Sequence, residues 1–275
     1  MKPGRLLTFA PGGAAANMST DEAISLAVAS GDSLPTLRFY GWQRPTLSLG
    51  YFQHIADAER YLSGIDGGNG VEVVRRSTGG GAILHHCELT YSLSLPLADA
   101  GPGPREVVYQ SVHRSVQEVL ADVGVPSRPY REWAGSSSVM VSPAVVAQSA
   151  VASAGLKSHS KPDEPFLCFR RRTDEDLICS GYKVLGSAQR RVRGGVLQHG
   201  SLLLGVSPYA AVLPGINELG VGSLVAESLA GQIAGHVGQS LGYDWQGGEL
   251  TAAELASSNQ IAAERYAAAE WTRRR

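Results

Sequence analysis

Three short segments of this 275-residue sequence carry residue types that could do chemistry. The first, residues 75–82, places Arg75 and Arg76 ahead of three consecutive glycines. Because glycine has no Cβ, such a run lets the backbone approach a ligand and turn several N–H groups inward, and flanking arginines favour an anion such as a phosphate or carboxylate. The alternative is a glycine-rich turn with two solvated arginines. The glycine spacing matches neither a Walker A loop nor a dinucleotide-binding fingerprint.

The second segment, residues 181–189, has the pattern of a strand that contains Lys183. A lysine is costly to bury in an otherwise apolar strand unless it has a partner. One interpretation is a cation that points into a cleft, beside a Gly-Ser-Ala stretch small enough to admit a ligand. The other is a lysine at a sheet edge whose ammonium group reaches solvent.

The third segment centres on Cys168, which stands between Leu167 and Phe169 and is followed by three arginines. One interpretation is a nucleophilic thiolate, because nearby cations favour the ionised form of a thiol. The other is a buried structural cysteine between aromatic side chains.

Cys179, in an apolar strand, is predicted to lie in the core. Cys87 follows His85 and His86, but successive residues of a strand point to opposite faces, so this run would chelate a metal poorly and we expect no metal site. Three sparse cysteines do not form a disulfide framework, which favours a reduced cytoplasmic protein.

Composition narrows the function classes further. Hydrophobic residues make up 43% of the chain and charged residues 18%, so a substantial core can form. A net charge of −1 gives no support to a nucleic-acid-binding protein or to a polybasic membrane-surface protein. No apolar run is long enough to span a bilayer. We therefore expect a cytoplasmic protein without nucleic-acid or membrane partners.

The elements that must position these segments follow from hydrophobic periodicity and turn residues. Residues 1–16, rich in glycine, alanine and proline, are expected to be a loose lead-in. Ser19 and Glu22 have the spacing of a capping box and predict the start of a helix that ends at Gly31. Further helices are predicted at residues 54–62, 105–123, 224–241 and 251–272. Residues 136–161, poor in charge, are expected to form a mobile loop or an insertion with a short helix.

Strands are predicted at residues 37–40, 46–51, 71–76, 82–85, 89–95, 176–179, 182–187 and 195–202. The last three form a meander whose turns are expected at residues 180–181 and 190–194. Strands dominate the middle of the chain and helices its two ends. This order predicts an α+β fold rather than a repeating βαβ fold.

Taken in order, these motifs resemble the lipoate–protein ligase/octanoyltransferase family, which shares its fold with biotin–protein ligases. The strongest part of the resemblance covers residues 75–85 and 88–92, and it closes with residues 181–189 and 198–201. It extends over about residues 17–204. It implies a mixed, largely antiparallel β-sheet flanked by helices, in one catalytic domain of residues 1–245. Residues 246–275 would be a C-terminal helix packed on the same domain.

The resemblance implies one of two chemistries. Ligases use ATP to make an acyl-adenylate, whereas octanoyltransferases take octanoate from acyl carrier protein through a cysteine thioester. In one bacterial branch of the transferases the cysteine lies in a loop before the lysine strand and is followed by phenylalanine, as Cys168 is here. The chain is thus most similar to that cysteine-dependent branch, although Gly81 stands where the branch often has arginine and His86 where it usually has aspartate.

The hypothesis is that Cys168 accepts octanoyl from acyl carrier protein and passes it to a lysine of a lipoyl-domain protein, such as the glycine cleavage H protein or a 2-oxoacid dehydrogenase. Lys183 would assist, and no cofactor is expected. Substrate-binding residues would be Arg75, Arg76, Ser77, Thr78, Gly79, Gly80, Gly81, His85, Gly186, Ser187 and Ala188. Contacts to acyl carrier protein would come from Arg170, Arg171, Arg172, Arg190, Arg191 and Arg193.

Three alternatives stay open. The first is an ATP- and magnesium-dependent lipoate–protein ligase. The second is an amidotransferase that moves the acyl group between two lipoyl domains. The third is a non-catalytic binding protein of the same fold.

Overall fold

The computed structural model describes residues 1–100, 106–135, 164–192, 194–220 and 222–275. The predicted loop at 136–161 and Arg193 lie outside the described residues. The strands, in chain order, are β1 (Lys2–Gly12), β2 (Thr36–Trp42), β3 (Thr46–Leu49), β4 (Glu72–Arg75), β5 (Ile83–His85), β6 (Glu88–Pro96), β7 (Arg128–Pro129), β8 (Leu177–Cys179), β9 (Tyr182–Val192), β10 (Gly195–Leu203) and β11 (Tyr243–Gly247).

The helices of these ranges are α1 (Ala14–Ser30), α2 (Ile55–Ser63), α3 (Glu106–Asp122), α4 (Tyr130–Gly135), α5 (Ile216–Leu219), α6 (Ala226–Leu241), α7 (Ala252–Ile261) and α8 (Ala269–Arg273). The predictions of α2, α3 and α6 are confirmed to within two residues at each end, as far as the chain is described. Among the described residues, no helix is both long and apolar enough to cross a membrane.

Two sheets organise the fold. The large sheet has eight strands in the order β11-β1-β2-β6-β10-β9-β8-β7, and the small sheet has the order β4-β3-β5. β1 runs parallel to its neighbours β2 and β11, whereas the pairings from β2 through β6, β10, β9 and β8 to β7 are antiparallel. The predicted α+β fold, with a mixed and largely antiparallel sheet flanked by helices, is confirmed.

The main core lies between the large sheet and the helix pair α3 and α6, and it includes Leu37, Leu93, Val116, Leu185 and Ile233. The amphipathic spacing of α3 places its valines on this face. A second cluster of buried apolar residues joins the small sheet to the segment that carries Cys168, through Phe166 and Leu167.

The turn from β8 to β9 is the predicted one. Ser180 and Gly181 have φ angles of 49° and 85°, the left-handed pair that a tight hairpin requires. The next turn is shorter than predicted, because β9 continues to Val192 and Arg190 and Arg191 belong to the strand.

The N-terminal predictions are wrong in two respects. Residues 1–16 are not a loose lead-in, since β1 occupies Lys2–Gly12 between β2 and β11. Helix α1 begins after Gly13, so Ser19 and Glu22 lie inside it and do not form its cap. Ser19 instead contacts Ser258 at 3.0 Å, and Glu22 accepts a hydrogen bond from Tyr266 at 2.5 Å.

The C-terminal segment is also not one helix. Residues 243–247 form β11, and the predicted helix over 251–272 is divided by a wider turn at residues 262–266 and by Ala268, whose backbone is extended. The segment is tied to the sheet by a buried ion pair between Arg5 and Glu254, 2.5 Å apart.

Candidate active site

Cys168 lies at the start of a single 3₁₀ turn, Cys168–Arg170, that is fastened to the end of the glycine loop. Its backbone N–H donates to the carbonyl of Ala82 at 2.7 Å, and the N–H of Ala82 donates to the carbonyl of Phe166 at 3.0 Å. This short ladder brings together two segments that are more than eighty residues apart in the chain. The first and third segments singled out in the sequence therefore form one site.

Lys183 joins the same site from β9. Its Nζ lies 3.8 Å from the Sγ of Cys168 and 3.4 Å from the Cys168 carbonyl oxygen. Residue Lys183 is only 4% exposed, which excludes the solvent-reaching alternative. The predicted pairing of a nucleophile candidate with a buried cation is thus present in the structure.

Asp176 holds the lysine in place and was not predicted as a site residue. Its Oδ2 lies 2.8 Å from Lys183 Nζ, and both side chains are almost fully buried. The backbone N–H of Thr173 donates to the same carboxylate at 2.7 Å, and Tyr109 donates to it at 3.3 Å. The requirement of a buried lysine for a counter-charge was the signal that could have found Asp176, which lies just before β8.

Gly186 makes room for this arrangement. A Cβ at position 186 would lie 2.4 Å from Lys183 Cε and 2.7 Å from its Nζ. The lysine therefore crosses directly over the glycine to reach Cys168 and Asp176. Any larger residue would occupy the space of the lysine side chain.

Gly81 has an equally specific function. A Cβ there would lie 2.9 Å from the backbone nitrogen of Cys168, 3.0 Å from its Cα and 2.9 Å from Arg171 Nε. The loop can approach the cysteine turn this closely only without a side chain. The preceding glycine of the loop, Gly80, has a φ of +96°, which residues with a side chain rarely adopt.

The two arginines before the glycines lie in different environments, and only Arg76 reaches the cavity beside Cys168. Arg75 is fully buried and donates to the carbonyls of Gly50, Gln53 and Thr272. It ties β4 to the C-terminal segment instead of facing a ligand.

Arg76 is also buried, and its hydrogen bonds run to the protein itself. Its guanidinium donates to Ser48 at 2.7 Å and to the carbonyls of Gly79 and Gly81 at 3.0 and 2.9 Å. Burial lowers the pKa of Arg76 to about 10. The arginine braces the glycine loop from inside and also lines the cavity, so anion binding by Arg76 stays a prediction.

A cavity opens beside Cys168. Seven of the predicted substrate-binding residues line it with Cys168, namely Arg76, Gly79, Gly80, His85, Gly186, Ser187 and Ala188. The predicted residues Arg75, Ser77, Thr78 and Gly81 are not part of the lining. Lining residues that were not predicted are Met18, Tyr40, Trp42, Ile83, Thr90, His199, Gly200 and Ser201. Five of these, Ile83, Thr90, His199, Gly200 and Ser201, lie in the motifs that carry the family resemblance.

One wall of the cavity is rigid and aromatic. The His85 ring stacks on Trp42 with centroids 4.0 Å apart, and its Nδ1 contacts the buried carboxylate of Glu88. Ser48 lies 2.6 Å from the other ring nitrogen. Burial opposes ionisation of Glu88, but His85 and Thr90 overcome it, so the pKa of this carboxyl stays below its ordinary value. His85 is thus held as part of the wall.

The lining residues Tyr40 and His199 are supported from behind by Asp21 of α1. Arg38 and Tyr40 donate to its carboxylate at 2.7 and 2.8 Å. Burial raises the pKa of Asp21, but Arg38 and His199 lower it by more, so the group stays ionised. Thr78 lies 2.7 Å from His199 Nε2 and connects this histidine to the glycine loop.

A buried hydrogen-bond chain runs behind Ser187. His113 Nδ1 donates to the Glu175 carbonyl at 2.7 Å, which leaves its Nε2 to accept from Ser187 at 2.7 Å. Tyr91 lies 2.6 Å from the same hydroxyl group. Burial lowers the pKa of His113 to about 3, so the ring is neutral. The backbone N–H of Ser187 donates to Tyr109 at 3.0 Å and is therefore not free to bind a ligand oxygen.

Of the six arginines predicted to contact acyl carrier protein, the five that the structure describes differ in their exposure and in their hydrogen-bond partners. Arg171 donates to Pro165 and Glu164, and Arg172 donates to Phe169 and Gly181, so both stabilise the cysteine turn. Arg170 and Arg191 are exposed, and Arg190 is half-buried.

Several known proteins are similar to this chain in sequence. A family model described as the lipoyl protein ligase A/B catalytic domain matches residues 13–218. Octanoyltransferase LipM of Kyrpidia tusciae is 32% identical, with 100% of both chains aligned. Octanoyltransferase LipM of Symbiobacterium thermophilum is 37% identical over 69% of this chain and 61% of its own length.

Solved structures show the same fold. A lipoate protein ligase from T. acidophilum with bound lipoic acid superposes with a TM-score of 0.72 at 19% identity, over 98% of this chain and 99% of that one. A lipoate–protein ligase A bound with ATP gives 0.71 at 20% identity, over 98% of each chain. The family match, the aligned relatives and the shared fold lead to one conclusion: this chain belongs to the lipoyl protein ligase A/B catalytic domain family.

Proposed function

We propose that this chain is an octanoyltransferase that moves octanoyl from acyl carrier protein to a lysine of a lipoyl-domain protein, with Cys168 as the acyl carrier. The observation that carries the proposal is the contact of Cys168 Sγ with Lys183 Nζ, 3.8 Å apart at the edge of the cavity. The names of the aligned relatives point to octanoyl transfer. A solved structure that pairs an archaeal ligase with its lipoyl domain supports that class of acceptor.

In the first step the Cys168 thiolate attacks the thioester carbonyl of octanoyl-acyl carrier protein. A new carbon–sulfur bond forms, the old one breaks, and the pantetheine thiol leaves. The ammonium of Lys183 lies beside the sulfur and offsets its negative charge, and the same group can donate to the oxyanion of the tetrahedral intermediate. Asp176 acts through Lys183 and is a positioning residue.

In the second step the amine of the acceptor lysine attacks the Cys168 thioester. An amide bond forms and the carbon–sulfur bond breaks, so that the cysteine sulfur leaves as thiolate. The proton lost by the amine passes to bulk water, which supplies the proton that the pantetheine thiol took up in the first step. The energy of the thioester drives amide formation, so the proposed reaction needs no nucleotide.

The lining of the cavity has the apolar character that an eight-carbon acyl chain requires. The side chains of Met18, Tyr40, Trp42 and Ile83 give it apolar and aromatic surface. Glycines 79, 80 and 186 border the cysteine end, where the reacting thioester must fit.

The test is intact-protein mass spectrometry after mixing with octanoyl-acyl carrier protein, without ATP. We expect one octanoyl adduct on the wild type and none on Cys168→Ser. An octanoyl-adenylate made from octanoate and ATP, with full activity in Cys168→Ser, would instead establish a ligase. An adduct that forms only from an octanoylated lipoyl domain would establish an amidotransferase, and no adduct from either donor would contradict the acyl-enzyme.

A further inference from the structure

A cluster of cations and aromatic rings lies on the surface beside the glycine loop. Arg274 stacks on Tyr51 with its guanidinium carbon 3.8 Å from the ring centroid, and Arg275 lies 5.5 Å from the ring centroid of Phe52. Arg190 approaches from β9 and its guanidinium lies 3.4 Å from the Ser77 carbonyl oxygen. We call these five residues, Tyr51, Phe52, Arg190, Arg274 and Arg275, the arginine–aromatic cluster.

The positive charge of this cluster is not neutralised. Within the part of the chain that the structure describes, no aspartate or glutamate side chain lies in ion-pair distance of Arg190, Arg274 or Arg275, whereas the neighbouring Arg273 pairs with Glu59 at 2.8 Å. A hydrogen bond from Arg274 and its charge, with smaller contributions from Arg190 and Arg275, lower the pKa of the Tyr51 phenol. All three arginines thus place positive charge near the Tyr51 hydroxyl group, on a chain whose net charge is only −1.

The cluster borders the cavity on two sides. The Tyr51 N–H donates to the Thr78 carbonyl at 2.9 Å, and Gly50 packs so closely on Gly80 that a Cβ would lie 2.0 Å from the Gly80 carbonyl oxygen. Gly80 lines the cavity, and so does Ala188. Arg190 lies on the same face of β9 as Ala188, two residues or roughly 7 Å further along the strand. A partner seated on the cluster would therefore sit beside the route to Cys168.

The arginines are held in place before any partner arrives. The Trp271 indole donates to the Arg75 carbonyl at 2.9 Å, and the Ile55 N–H donates to the Arg275 carbonyl at 2.8 Å. Arg75 in turn donates to Thr272 at 2.7 Å. Since the anchors are backbone groups or residues outside the cluster, the Arg274 and Arg275 side chains can be changed without removing them.

We propose that the arginine–aromatic cluster is the docking surface for the acidic acyl carrier protein that donates the octanoyl group. This proposal rests on the proposed function. An acidic donor is steered by unpaired arginines at the cavity rim, and the phosphate of its prosthetic arm is an anion that guanidinium groups bind well. Phe52, 60% exposed beside the cations, supplies an apolar contact of the kind that anchors an interface.

The test compares two donors in the first half-reaction. Octanoyl-acyl carrier protein needs the docking surface, whereas octanoyl-pantetheine carries the same thioester without the protein. Acylation of Cys168 is followed by quenched-flow mass spectrometry in the wild type and in Arg274→Glu/Arg275→Glu. We expect acylation by the carrier protein, below saturation, to slow about tenfold or more, and acylation by octanoyl-pantetheine to keep its rate.

A matched control reverses two exposed cations elsewhere, Lys2 on β1 and Arg114 on α3. Lys2→Glu/Arg114→Glu changes the net charge equally, and it should leave both rates close to those of the wild type. Added salt should slow acylation by the carrier protein in the wild type much more than in the Arg274→Glu/Arg275→Glu variant, because exposed charges are screened.

Other outcomes overturn the assignment. Equal rates with the carrier protein in wild type and variant, or equal slowing with both donors, contradict docking at this cluster. If the variant slows only the transfer from octanoylated Cys168 to the lipoyl domain, then the acceptor and not the donor docks on the arginine–aromatic cluster. If the wild type acquires no adduct from either donor, the acyl-enzyme itself is contradicted and the docking assignment falls with it.

Discussion

Asp176 and Lys183 form a buried ion pair, 2.8 Å between Oδ2 and Nζ, that aims the lysine at the sulfur of Cys168. Asp176 directly precedes β8 and Lys183 is the second residue of β9. The tight turn at residues 180–181 pairs the two strands and so brings the side chains together. The position of the cation beside the nucleophile is thus a property of the hairpin and not of a mobile side chain.

The first prediction concerns the stability of this pair. Lys183→Met leaves a buried carboxylate without its cation, and Asp176→Asn leaves a buried ammonium without its anion. Each variant should lower the free energy of unfolding by about 3 kcal/mol in urea titrations. The double variant Asp176→Asn/Lys183→Met buries no unpaired charge and should recover most of that loss. Strictly additive costs in this cycle would contradict a coupled ion pair.

The second prediction separates the path of Lys183 from the stability of the fold. In Gly186→Ala the new methyl group occupies the space of Lys183 Cε and Nζ. The end of a flexible side chain can move while it stays near Asp176, so we expect a smaller loss of stability than in Lys183→Met but a fall in transfer rate of about 100-fold. Gly235→Ala in α6, where a Cβ meets nothing within 4 Å, is the control. A fully active Gly186→Ala would show that the lysine position is unimportant.

The third prediction tests the contact between the glycine loop and the cysteine turn. A methyl group in Gly81→Ala would collide with the backbone of Cys168, which cannot be displaced as easily as a side chain. The turn must shift, so acylation by octanoyl-pantetheine should slow by about tenfold or more. Alkylation of the thiol with iodoacetamide, measured in parallel, should also change its rate. Unchanged rates in both assays would contradict the close approach.

The fourth prediction is a pH dependence of stability. Burial lowers the pKa of His113 to about 3 in the folded state, whereas the unfolded chain binds a proton near the ordinary value of 6.5. The unfolded state therefore takes up more protons between these limits, and stability falls as the pH drops below about 6.5.

At pH 5 the loss from His113 alone is roughly 2 kcal/mol. His113→Gln keeps a donor and an acceptor without a titrating ring, so its unfolding free energy should fall less between pH 7.5 and 5 than that of the wild type. Urea titrations at the two pH values measure the difference. Equal losses in both proteins would mean that His113 is not a buried neutral ring.

Sequence reasoning singled out Cys168 and Lys183, which the structure places 3.8 Å apart, because residue type and order carry that information. Cys168 and Lys183 are chemically distinctive, and the hairpin between them has a turn sequence that specifies its own geometry. The flanking helices α2, α3 and α6 were also predictable, since their periodicity is local.

The features that could not be predicted from the sequence depend on contacts between distant segments. β1 reads as a loose segment because its exposed and buried residues do not alternate, and it is a strand only because β2 and β11 pair with it. The bracing of the glycine loop by Arg76 was not predicted, since nothing local shows that the carbonyls of Gly79 and Gly81 turn towards it. Asp176 was missed because nothing in the sequence alone shows that Lys183 is buried and needs a counter-charge.

The most direct test of the account is a single-turnover chase. Cys168 is first loaded with isotope-labelled octanoyl from acyl carrier protein, the enzyme is separated from the donor, and a lipoyl domain is added without ATP. We predict that the label leaves the enzyme and appears in amide linkage on one lysine of the lipoyl domain, with one octanoyl transferred per enzyme. A label that stays on Cys168, or a lipoyl domain that is modified only when ATP and free octanoate are supplied, would contradict the thioester route.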